Sequence, residues 1–167
     1  MEIRQAKQAD ANLVARLHVR AWQVAYKGLI PEEYLSGLQP EVRTRSYSFE
    51  SSDPRDPVTL VAIEEDAIVG FATTRPAKGD ETGEIGELLG LYVDPERWGC
   101  GVGRALIGAA NERLRQQGFR EAILWVLAGN RRAERFYQHN GWSPDGTGHK
   151  EFDGMSIEVV RYRRSLA

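Results

Sequence analysis

The sequence predicts an α+β fold, a single domain over residues 1–167 with a central mixed, mostly antiparallel sheet flanked by helices, and three observations predict it. Two β-rich segments, Val58 to Glu64 and Ala67 to Thr74, are separated only by Glu65 and Asp66, the spacing of an antiparallel hairpin. Val102, Leu106, Ala110 and Leu114 recur every fourth residue, as in a helix buried along one stripe. Glu121 to Leu127 is a near-continuous apolar run of the kind a strand covered on both faces requires.

The remaining elements follow in order. Ile3 to Gln5 opens a short strand, and Asp10 is placed to cap a helix carrying Leu13, Leu17, Ala21 and Val24, which stops near Gly28. Pro31 suits a first helical turn, with Glu32 and Glu33 at its positive end, and a further helical stretch follows Pro40. Asp53 to Pro57 and Lys78 to Gly83 read as loops. Glu84 to Val93 is a longer strand closed by Pro95, because proline cannot continue a central ladder. Gly118 stands where the long helix needs a left-handed cap. Arg131 to His139 is a short helix between Asn130 and Gly141, and Met155, Ile157 and Val159 alternate as a final strand.

Composition excludes several classes. A chain of 167 residues that is 41% hydrophobic can bury one core without staples. A net charge of -2 gives no basis for a nucleic-acid partner, and the Arg161, Arg163, Arg164 cluster reads as a solvated strand end. The single cysteine, Cys100, excludes an intrachain disulfide and fits a reducing compartment. The N-terminus lacks the apolar core of a signal peptide, and Ala122 to Ala128 is too short to span a bilayer. The expectation is a cytoplasmic protein without a membrane partner. His18, His139 and His149 lack metal-ligand spacing, so no metal is expected.

Gly99, Gly101 and Gly103 alternate just before the clearest helix. Without Cβ atoms, successive backbone N–H groups there can turn toward one concavity, at the positive end of a helix dipole, which suits a pyrophosphate. A Walker loop is absent, and a dinucleotide fingerprint would need its third glycine where Arg104 stands.

Trp98-Gly-Cys-Gly-Val-Gly103 resembles the pyrophosphate loop of the GNAT superfamily of acyl-coenzyme A-dependent N-acyltransferases, Gln/Arg-x-x-Gly-x-Gly/Ala. Leu91-Tyr-Val-Asp-Pro95 resembles that family's fourth strand and exit, and Asn130 to Trp142 its second signature, so the likeness covers about Glu84 to Trp142. Trp98 departs from the usual Gln or Arg, which leaves the grip to the backbone.

The resemblance implies an enzyme that binds acetyl-CoA through Gly99, Cys100, Gly101, Val102, Gly103 and Arg104, with Asn130 on the pantetheine arm. It implies N–H donors for an oxyanion from Leu91, Tyr92 and Val93, and Tyr137 as the acid that protonates the departing thiolate. It places Glu87 as the base, with Glu84 as fallback. Regular alternation would set Glu87, Leu89 and Leu91 on one face, and a bulge would change that parity. Trp22, Tyr26 and Tyr34 lie where such folds wall the acceptor, read as a primary amine of a small molecule or peptide, with transfer direct and in a ternary complex. A silent coenzyme A-binding domain and a protein using the loop for another nucleotide are the competing readings. Exposed strand edges leave room for a homodimer.

Overall fold

The computed structural model describes residues 1–167. Strand β1 (Glu2–Gln5) leads into α1 (Ala11–Ala25), and two short helices follow, α2 (Glu32–Ser36) and α3 (Pro40–Thr44). The hairpin of β2 (Val58–Glu64) and β3 (Ala67–Pro76) turns through Glu65 and Asp66, both at positive φ (48° and 66°), the left-handed pair of a type I′ turn. Then come β4 (Ile85–Val93), α4 (Val102–Gln116), β5 (Glu121–Leu127), α5 (Arg131–His139), β6 (Ser143–Phe152) and β7 (Met155–Ser165). The strands form one seven-stranded sheet in the order β1-β2-β3-β4-β5-β7-β6. Only the β4–β5 pair is parallel. No helix is long and apolar enough to cross a membrane.

Helix α4 lies on one face of the sheet, and its predicted stripe of Val102, Leu106, Ala110 and Leu114 is fully buried, each at 0% exposure. The close seat depends on glycines in the strands beneath: a Cβ on Gly70 would stand 2.8 Å from a Leu106 methyl, and one on Gly86 2.7 Å from a Leu114 methyl. Past its end, Gly118 takes φ 93°. Its N–H donates to Arg115 O at 3.0 Å while Phe119 N–H donates to Leu114 O at 3.2 Å, closing a Schellman cap. Leu106→Ala is expected to lower stability by about 2–5 kcal/mol, read as a shifted denaturant midpoint at unchanged slope.

Helix α1 covers the opposite face, packing Val14, Leu17 and Ala21 against Val61 and Phe71. The buried stripe is rotated from the predicted one: Val14, Leu17, His18, Ala21 and Trp22 are inside, whereas Leu13 and Val24 are exposed. Asp10 stands at the helix start without capping it, because its carboxylate accepts from Lys7 N–H at 2.7 Å and from the Arg4 guanidinium at 2.8 Å. That guanidinium holds the Asp10 carboxyl below its usual range.

The final hairpin was half anticipated. Met155, Ile157 and Val159 do lie in β7, but β6, read as no element, pairs with it along its length. β6 is an edge strand, nearly all exposed, with Pro144 beside a register shift. Its residues face solvent, so no apolar alternation marks it, and proline is tolerated at an edge.

Candidate active site

β4 and β5 pair only from Ile85–Leu88 to Glu121–Leu124, although β4 runs on to Val93 and β5 to Leu127. The parting begins at a bulge: Thr73 faces Gly90, Thr74 faces Leu88, and Leu89 has no partner. The extra residue reverses the face order. Leu88 and Leu91 both pack in the α4-side core, while Tyr92 packs on the α1 side. Glu87 thus shares the α1 face with Tyr92, and the expected common face with Leu89 and Leu91 does not form.

The gap between the strands is a cleft of about 570 Å³ that passes through the sheet, reaching Ala21, Ala25 and Tyr26 of α1 on one side and Asn130 and Tyr137 on the other. Its β4 wall offers backbone donors. Asp94 N–H donates to Val69 O at 2.8 Å, and antiparallel pairs alternate in bonding, so Tyr92 bonds β3 while the N–H groups of Leu91 and Val93 turn toward the cleft.

The glycine loop adds further donors. Among the N–H groups from Gly99 to Arg104, only that of Cys100 has a partner, Arg97 O at 3.3 Å; those of Gly99, Gly101, Val102, Gly103 and Arg104 have none. Cys100, expected among the donors, has therefore spent its amide in the turn, and its side chain is exposed. Gly99 and Gly101 hold φ at 77° and 86°, which other residues resist. Gly103 serves another purpose: a Cβ there would stand 3.2 Å from the Phe136 ring, so its absence lets α5 approach α4.

Trp98 ties the loop to both walls. Its Nε1–H donates to Val93 O at 3.0 Å, and the Arg132 guanidinium lies 3.2 Å from its ring centroid. Arg97, Arg104, Arg132 and Arg135 line the cleft, and no aspartate or glutamate does. Only Arg97 of these has a carboxylate partner, Glu64 at 3.6 Å.

From α5, the Asn130 carbonyl accepts from Ala133 N–H at 3.3 Å and caps the helix, leaving its NH₂ free to donate. Tyr137 is buried among Phe136, Trp142 and Tyr162, yet it lines the cleft. Burial pushes its phenol well above the ordinary value, which keeps the proton on at neutral pH. The Tyr26 and Tyr92 hydroxyls stand 3.4 Å apart at the α1 side.

Other expected residues fall outside. Glu87 is 4% exposed, held by Arg75 at 2.9 Å, and does not line the cleft. Glu84 precedes β4 at its far end, 3.9 Å from Arg120, and borders a separate hollow, because the strand carries it away from the gap. Trp22 is core, 5.0 Å from both Tyr26 and Phe152. Tyr34 donates to the Asp153 carboxylate at 2.8 Å, near the turn joining β6 to β7. The sequence reading missed Arg132, although it lies within the second signature, and the Tyr92 hydroxyl, whose direction depends on the bulge.

Free amides at a helix start, unpaired arginines and an apolar passage fit a ligand with a pyrophosphate head and a long thin arm. Residues 8–142 match the Acetyltransferase (GNAT) family, and the chain belongs to it: it is an acyl-CoA-dependent N-acyltransferase. It is 32% identical to the uncharacterised N-acetyltransferase YuaI of Bacillus subtilis over 94% of this chain and 87% of that one. It is 34% identical to aminoglycoside N(6')-acetyltransferase type 1 of Stenotrophomonas maltophilia over 82% of this chain and 79% of that one. In fold it is similar to the PaiA N-acetyltransferase of Thermoplasma acidophilum, solved with coenzyme A, at TM-score 0.71 and 23% identity over 98% of each chain.

Proposed function

We propose that the protein moves an acetyl group from acetyl-CoA directly to a primary amine of a small molecule or peptide in a ternary complex. The observation that carries this reading is the passage through the sheet, which has phosphate donors at one mouth and phenols at the other. Acetyl-CoA supplies an activated thioester. The free amides of Gly99, Gly101, Val102, Gly103 and Arg104 hold its pyrophosphate, with Arg132 and Arg135 adding charge. Leu91 and Val93 N–H groups and the Asn130 NH₂ hold the carbonyl oxygens of its arm. Tyr137 gives its proton to the departing sulfur. Glu87, occupied by Arg75, takes the amine's proton by way of water rather than by contact.

Two measurements test the reading together: calorimetric binding of acetyl-CoA against ATP and NAD, and thiol release with a panel of amines. The expected result is preferred binding of acetyl-CoA and amine-dependent release. Binding without release for any amine would replace it with a silent coenzyme A-holding domain.

A further inference from the structure

The acceptor amine must enter a cleft that holds no carboxylate. The charged side chains lining it are arginines. The carboxylates expected near an acceptor are engaged elsewhere: Glu87 with Arg75, Asp153 with Tyr34, and Glu84 outside the cleft altogether. At the α1 mouth the side-chain polar atoms are the hydroxyls of Tyr26 and Tyr92, set beside Ala21 and Ala25. An ammonium entering here would leave water without finding an anion. A neutral amine loses far less, and a phenol oxygen can accept its N–H.

We infer that the acceptor is an amine of low basicity, one with a carbonyl or similarly electron-withdrawing group on the adjacent carbon, and that polyamines and lysine side chains are poor acceptors. The inference rests on the acetyl-transfer reading above and narrows its substrate class. The selection has a large lever. At pH 7 an α-amine of pKa about 7.7–8.0 is neutral in roughly one molecule in eight, and a lysine-type amine of pKa about 10.4 in roughly one in 2,500.

The test follows thiol release from acetyl-CoA at about pH 7 with alanine amide, a short peptide with a free N-terminus, spermidine and Nα-acetyl-lysine amide, with coenzyme A binding read separately by calorimetry. The expected kcat/KM for alanine amide or the peptide exceeds that for spermidine and the lysine derivative by at least about 30-fold, and the gap to the lysine derivative narrows about tenfold near pH 9 as that amine deprotonates. Spermidine or the lysine derivative used equally well or better at pH 7 overturns the inference and leaves acetyl transfer standing. Coenzyme A binding with no acceptor used overturns both.

Discussion

Tyr137→Phe is expected to lower kcat by about 100-fold or more, within the range for a lost general acid, while the dissociation constant for coenzyme A changes by less than about threefold (a difference of roughly 0.65 kcal/mol). The split follows from where the residue sits. Its ring packs among Phe136, Trp142 and Tyr162, and phenylalanine keeps those contacts. Only the hydroxyl facing the cleft is removed. Burial keeps that hydroxyl protonated across the neutral range, so it serves as a donor and not as a base. Steady-state rates beside calorimetry on the same preparation decide it, and an unchanged kcat would return Tyr137 to a packing role.

Gly101→Val is expected to raise the coenzyme A dissociation constant at least tenfold, equivalent to about 1.4 kcal/mol. At φ 86° a β-branched residue is strained, at a cost of about 1–3 kcal/mol, and the loop relieves that strain by turning its amides away from the anion. Nothing lies within 4 Å of the added Cβ, so the fold should survive, as a thermal melt would verify. Trp98→Ala should weaken binding less. It deletes the bond to Val93 O and the stack with Arg132 but leaves every free N–H in place. A larger effect for Trp98→Ala than for Gly101→Val would mean that side chains, not amides, grip the phosphates.

Much of the frame was readable from the apolar pattern because burial is two-sided or striped there. β5, α4 and the β2–β3 hairpin each carry their own period, and the Glu65-Asp66 turn has a single economical geometry. β6 was not readable, since a solvated edge strand imposes no period on its residues. At the site, the loop was legible from its glycines, but which amides remain free was not: the Cys100 N–H is consumed by a turn that no residue type announces. The bulge at Leu89 had the largest consequence. It moved Glu87 to the α1 face and helped open the cleft, and its position depends on pairing with β3, a contact between distant segments. Neither Glu87, expected as the base, nor Glu84, its fallback, lines the cleft.

The missing rungs beyond Leu88 and Leu124 leave the sheet as two leaves, β1 to β4 and β5, β7 and β6, hinged along one short parallel seam. A guest with amides of its own, lying along the gap as proposed above, would bond to both leaves as a temporary strand. Occupancy and cohesion are then one equilibrium: a ligand at a hundred times its dissociation constant adds about 2.7 kcal/mol to the native state. On the proposed reading, the opening between the leaves would make the resistance of the chain to unfolding a gauge of how much donor surrounds it.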